Sequence, residues 1–146
     1  MNGVTRIAKR LLCVAMGAAT IGVVGHSGAA LADGISVALS GQNEIPPVTT
    51  PATGTGTLTV GPDKSVRGRV TISGMSATVA HIHEAAAGSN GAIVIPLAKT
   101  SDNVWVVPAD VRLTDAQHES YKAGKLYFNI HSEAHKSGEI RGQIRP

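Results

Sequence analysis

Hydrophobic and polar residues alternate in short runs along most of this chain, and turn-forming residues separate the runs. In residues 66–72, Val66, Val70 and Ile72 fall on one face, while arginine and threonine side chains fall on the other. This period of two is typical of a half-buried β-strand. Eight strands are predicted from such alternation or from runs of apolar and β-branched residues, over residues 35–39, 54–60, 66–72, 77–83, 92–97, 104–107, 126–131 and 139–145.

The strand pattern predicts an all-β protein with one short helix. Eight short strands separated by turns favour a sandwich or a barrel. Residues 92–97 are continuously apolar, which predicts a strand buried on both faces. The helix is predicted over residues 115–123, where Thr114 can act as N-cap, Gln117 can complete a capping box and Gly124 can end the helix.

The first 32 residues differ from the rest of the chain. A basic head with Arg6, Lys9 and Arg10 precedes an apolar run at residues 11–25, and small residues ending in Ala30-x-Ala32 follow it. This order predicts a secretory signal peptide cleaved after Ala32 and one domain over residues 33–146. An uncleaved anchor is the alternative, although the run is short for a hydrocarbon core of ~30 Å. The protein is therefore expected to be secreted or periplasmic, with no stable membrane span after cleavage.

Charge and cysteine usage change once this segment is removed. The formal net charge of +3 comes from the basic head, because residues 33–146 contain ten Lys or Arg and ten Asp or Glu. A neutral domain without a basic stripe gives no reason to expect a nucleic-acid partner. The single cysteine, Cys13, lies in the predicted signal, so the expected domain has no disulfide in an oxidising compartment.

Three histidines are the candidate metal ligands. His81 and His83 are two residues apart in a predicted strand and therefore share a face, and His131 ends another predicted strand. Neutral imidazoles suit copper or zinc. The alternative interpretation is a hydrogen-bonded polar cluster without metal, because buried imidazoles are usually satisfied in this way. His118 and His135 are expected to be exposed instead.

A polar cluster is predicted beside the histidines. If the last two strands pair as a hairpin, Asn129 lies near Arg141 and His131 lies near Glu139, which makes one polar face. Glu139 and the side-chain carbonyl of Asn129 are then the expected acceptors for the second ring nitrogens of the histidines. Glu44 is expected to be a solvated loop acid.

Several motifs, in order along residues 35–146, resemble the CHRD (chordin-type) family. They are Leu39-Ser-Gly-Gln-Asn-Glu-Ile-Pro-Pro-Val48, Ala80-His-Ile-His83, Gly88-x-Asn90-Gly91, Ala123-Gly-Lys-Leu-Tyr-Phe-Asn-Ile-His131 and Gly138-Glu-Ile-Arg-Gly-Gln-Ile144. The chain departs from the family at His135-Lys136, where members usually carry a proline. The resemblance implies an extracellular or envelope antiparallel β-sandwich, immunoglobulin-like or superoxide-dismutase-like in its Greek-key topology. It implies no established reaction.

Two classes of function remain open from the sequence. The first is a non-catalytic envelope or secreted module that binds an extracellular or envelope protein or polymer. The second is a periplasmic copper- or zinc-binding protein that uses His81, His83 and His131. The His81-x-His83 pair is similar to the copper-binding pair of copper/zinc superoxide dismutase. The disulfide and the histidine-rich zinc loop of that enzyme are missing, which argues against a dismutase and leaves no enzymatic activity predicted.

Overall fold

The computed structural model describes residues 34–146. The predicted signal peptide and its cleavage site after Ala32 lie outside the described residues. Within them, nine strands and one α-helix follow one another, with a single 3₁₀ turn at Gly41–Asn43 after the first strand. The elements are β1 (Ile35–Ser40), β2 (Thr53–Val60), β3 (Val66–Ser73), β4 (Ala77–Glu84), β5 (Ala92–Pro96), β6 (Ala98–Ser101), β7 (Val104–Val106), α1 (Asp115–Lys122), β8 (Leu126–Ser132) and β9 (Ile140–Ile144).

All nine strands belong to one antiparallel sheet with the order β5-β4-β8-β9-β1-β2-β3-β7-β6. The sheet has two halves, β5-β4-β8-β9 and β1-β2-β3-β7-β6, because β9 and β1 share only the register pair Ser40 with Arg141. The predicted antiparallel β class is confirmed. Hydrogen bonding shows one curled, nearly closed sheet, so the predicted division into a two-sheet Greek-key sandwich is not confirmed.

The two halves of the sheet pack against each other around Phe128. Phe128 of β8 is fully buried, and a Cβ built on Gly56 of β2 would lie 2.7 Å from its Cε2. Ile140 of β9 approaches Gly54 in the same way, with 3.1 Å from its Cδ1 to an added Cβ. The glycines in β2 therefore leave room for large side chains that come from the opposite half.

The prediction of a fully buried strand at residues 92–97 was wrong. The segment forms β5 at the edge of the sheet, where Ile93 is 53% exposed while Ile95 and Leu97 are buried. An edge strand has a neighbour on one side only, so a continuous apolar run does not ensure burial on both faces. The ninth strand, β6, was also not predicted; all four of its residues are exposed.

The short helix α1 agrees with its sequence signals. The Thr114 hydroxyl accepts a hydrogen bond from the Gln117 backbone, the Gln117 side chain accepts one from the Thr114 backbone, and Gly124 follows with φ +67°. These contacts satisfy orphan donors at the start of the helix and allow a left-handed residue at its end. No helix in residues 34–146 is long and apolar enough to cross a membrane.

Candidate metal centre

Neighbouring strands bring the three predicted histidines to one face of the sheet. In the β4–β8 pairing, His81 lies opposite Asn129, and Val79 lies opposite His131. Directly opposed residues share a face, so His81, His83 and His131 project together from the outer face of the β4–β8 pair, which is the face opposite Phe128. One ring nitrogen from each histidine lies within 4.8 Å of the others. The sequence predicted these residues, and the pairing of β4 with β8 brings them together.

Backbone carbonyls determine which nitrogen is protonated in two of the rings. His83 Nδ1 is 2.9 Å from the carbonyl oxygen of Gly91, and His131 Nδ1 is 3.0 Å from that of Lys136. A carbonyl oxygen only accepts hydrogen bonds, so Nδ1 carries the proton in each neutral ring. The Nε2 atoms of both rings are consequently unprotonated, which is the state that a metal ligand requires.

The third ring, His81, contacts His131 directly. Its Nδ1 lies 3.1 Å from His131 Nε2. Because His131 Nε2 is an acceptor, His81 Nδ1–H is the donor in the metal-free protein. His81 must move this proton to its other nitrogen, or rotate, before Nδ1 can bind a cation.

The ring of His83 is held by aromatic stacking. It stacks on Tyr127 with 5.1 Å between the centroids and 15° between the planes, and the Arg141 guanidinium carbon lies 3.5 Å from the Tyr127 centroid. His83 Nε2 is buried and has no hydrogen-bond partner within residues 34–146. A buried acceptor without a donor costs about 1–3 kcal/mol, and a cation bound at this nitrogen would remove that cost.

The surroundings favour the neutral form of all three imidazoles. Burial lowers the pKa of His81, His83 and His131 below the usual 6.5, because a charged ring loses hydration. The neighbouring rings lower the pKa of His81 and His131 further, and the Arg141 charge does so for His83, while the carbonyl hydrogen bonds to His83 and His131 act in the opposite direction. Neutral rings are the form that binds metal.

The three histidines lie within a segment that matches a known domain family. The model of the CHRD domain family matches residues 35–144, which contain all three histidines. The chain belongs to the CHRD domain family. No curated protein and no solved structure gives a significant match to this CHRD domain.

Asn129 and Arg141 of the predicted polar cluster lie opposite each other in the β8–β9 pairing. Glu139 is engaged elsewhere, since its carboxylate accepts a 2.6 Å hydrogen bond from Thr50. The acceptors for the Nδ1–H groups of His83 and His131 are therefore main-chain carbonyls, and the prediction that Glu139 and Asn129 serve this purpose was wrong. A backbone carbonyl has no side-chain identity, so the sequence contained no signal for it.

Glu44 lies in a different environment from the one its sequence context predicts. It is buried, at 5% exposure, and both of its carboxylate oxygens lie 3.1 Å from Asn129 Nδ2. Burial raises its pKa, although the Asn129 hydrogen bond and the nearby Arg141 charge partly oppose this. The prediction of a solvated loop acid was wrong, because the 3₁₀ turn after β1 folds the loop over the outer face. A Cβ on Gly41 would lie 2.3 Å from the Val48 carbonyl, so this turn requires glycine.

Other residues border or lie apart from the cluster. Val79 and Ile93, which are 44% and 53% exposed, lie opposite His131 and His83 in the strand pairings, so the CHRD domain presents apolar side chains beside its histidines. His118 stacks on Tyr121 of α1, with 6.2 Å between ring centroids. His118 and His135 are half-buried and do not belong to the group of ring nitrogens.

The donor set fits a copper or zinc ion. Tetrahedral zinc with bonds of about 2.0–2.1 Å to nitrogen places its ligands roughly 3.3 Å apart. His81 Nδ1 and His131 Nε2 are already 3.1 Å apart, and the whole set lies within 4.8 Å, so modest side-chain rotation closes the site. The group consists of imidazoles alone, which suits zinc and copper better than magnesium or calcium.

Proposed function

We propose that this CHRD domain is an exported, non-catalytic binding module whose ligand is a copper or zinc ion held by His81, His83 and His131. The observation that carries the proposal is the convergence of one nitrogen from each ring within 4.8 Å. The predicted signal peptide supports export, and the absence of a recognised catalytic motif in the sequence supports a non-catalytic role. An oxidising compartment is one in which an all-nitrogen copper site is chemically suitable.

The hydrogen bonds around the rings support metal binding over a structural role. Ligating histidines in metalloproteins usually donate their second N–H to a carbonyl or carboxylate, which orients the ring. His83 and His131 make this contact, to Gly91 and Lys136. A purely structural cluster would instead be expected to satisfy its buried acceptors, and His83 Nε2 is left without a partner among the described residues.

Calorimetric titration of the metal-free protein with Cu²⁺ and Zn²⁺ tests the proposal. We expect one ion per chain, and we expect His83→Ala and His131→Ala each to remove most of the affinity. His118→Ala is the matched control, because that ring is half-buried but lies outside the cluster. Affinity should also fall as pH drops, because protons compete for the ligand nitrogens.

A histidine cluster that binds no metal would give a different result. Wild-type affinity no higher than that of a His81→Ala/His83→Ala/His131→Ala variant, for both ions, would exclude the metal site. Thermal denaturation of each variant shows whether a loss of affinity follows from a loss of fold. A structural cluster predicts lower stability in the triple variant and no metal binding by the wild type.

A further inference from the structure

Arg141 connects the strand that carries it to the loop after β4. It is 2% exposed, its Nη2 donates to the Ser89 carbonyl at 2.8 Å, and its Nη1 donates to Asn90 Oδ1 at 3.2 Å. Asn90 in turn donates to the Ile45 carbonyl at 2.9 Å. One buried guanidinium therefore ties residues 89 and 90 to β9, and Asn90 ties the same loop to the segment after β1.

The residue that follows this anchored pair orients His83. The Gly91 carbonyl accepts the His83 Nδ1–H hydrogen bond, and the Gly91 N–H donates to the Tyr127 hydroxyl at 3.0 Å. A Cβ on Gly91 would lie 1.8 Å from the Glu84 carbonyl oxygen, so only glycine allows the loop to return this closely to β4. The position of the Gly91 carbonyl thus depends on how residues 89 and 90 are held.

Arg141 also supports the His83 ring through an aromatic contact with Tyr127. Its guanidinium carbon lies 3.5 Å from the Tyr127 centroid, and Tyr127 stacks on His83. A planar guanidinium can stack on an aromatic ring while its N–H groups bond in the same plane, which an ammonium group cannot do. One side chain therefore supports both the hydrogen bond and the stacking contact of His83.

We infer that Arg141 is a positioning residue that sets the tautomer and orientation of His83, so that Nε2 is presented to the metal ion. The inference rests on the proposed function for its metal, but its effect on the imidazole exists without one. Arg141 reaches His83 through Gly91 and Tyr127. It does not reach His131, whose Nδ1–H bonds to Lys136.

The experiment measures histidine tautomers in the ¹⁵N-labelled, metal-free protein by two-bond proton–nitrogen correlation at about pH 8, where the rings are neutral. The variants are Arg141→Lys, which keeps the charge but loses the planar fork, and Asn90→Ala, which removes both the acceptor for Arg141 and the donor to the Ile45 carbonyl at an exposed loop position. Asn90→Asp keeps the acceptor for Arg141 and loses only the donor to Ile45, so it isolates the Arg141 contact. Arg145→Lys is the matched control, because Arg145 is exposed on the same segment.

We expect Arg141→Lys and Asn90→Ala to give a mixture of His83 tautomers while His131 keeps its Nδ1–H form. Asn90→Asp and Arg145→Lys should resemble the wild type. Zn²⁺ and Cu²⁺ affinity should fall about 10-fold in the first two variants, the lower end for an outer-shell change. A general loss of fold would disturb both histidines alike.

An unchanged His83 tautomer in folded Arg141→Lys and Asn90→Ala, with affinity equal to that of Arg145→Lys, would overturn the inference. If Arg141→Lys does not fold, Asn90→Ala against Asn90→Asp decides the question. If the wild type binds neither ion, the proposed function fails, while the tautomer measurement still decides whether Arg141 positions His83.

Discussion

The contact between Phe128 and Gly56 gives the sharpest test of how the two halves of the sheet pack. Phe128 is fully buried, and its ring occupies the space beside Gly56, with 2.7 Å and 2.9 Å from an added Cβ to Cε2 and Cδ2. Phe128→Ala should cost about 3–5 kcal/mol, from lost transfer free energy and an unfilled cavity. A domain of this size has roughly 5–15 kcal/mol of stability in total.

Urea denaturation monitors this loss. With a typical slope of about 2 kcal/mol per molar urea, a loss of about 4 kcal/mol lowers the midpoint by about 2 M. Val79→Ala is the control, because Val79 is 44% exposed and should change stability by only about 0.5 kcal/mol. A Phe128→Ala midpoint that moves no further than the control would show that Phe128 does not lie between the halves.

A double-mutant cycle tests the partner of the ring. Gly56→Ala alone should cost about 1–3 kcal/mol, because the new methyl group overlaps the aromatic ring. In the Phe128→Ala background the methyl group enters vacated space, so the same change should cost much less. Costs that add to within about 0.5 kcal/mol would mean that the two residues do not touch, and the face-to-face arrangement of β8 and β2 would be wrong.

Two further predictions concern pH and processing. Burial lowers the folded pKa of the three clustered histidines, so the unfolded chain takes up protons first as pH falls below 6.5. The free energy of unfolding should therefore decrease with falling pH below that value, and urea midpoints should show a weaker decrease for the triple-alanine variant; parallel curves would contradict this. Exported protein should begin at Asp33, and N-terminal sequencing that still found Met1 would refute cleavage after Ala32.

Alternation within a strand is a local property, and the sequence alone therefore determined the faces of β8. Phe128 and Ile130 lie two residues apart on the apolar face of this strand and are fully buried, and the hairpin pairing considered from the sequence places Asn129 opposite Arg141, as the β8–β9 register does. The capping box of α1 is local in the same sense, because its two partners are three residues apart. Such features need no knowledge of the rest of the chain.

Other features depended on contacts between distant residues. The sequence named His81 and His131 as candidates, but their 3.1 Å approach arises from the pairing of β4 with β8, fifty residues apart. The burial of Glu44 depends on the loop after β1 crossing the outer face, where Asn129 satisfies the carboxylate. Ile93 shows the reverse effect, because the edge position of β5 leaves an apolar residue exposed.

The orientation of the candidate ligands was decided by tertiary structure alone. The Gly91 and Lys136 carbonyls that hold His83 and His131 belong to loops, and every residue offers the same carbonyl group. Side-chain chemistry can be read from a sequence, whereas the direction of a main-chain carbonyl depends on the path of its loop. Here the buried guanidinium of Arg141 anchors that path beside His83, and a turn centred on His135 bends the chain so that Lys136 faces His131.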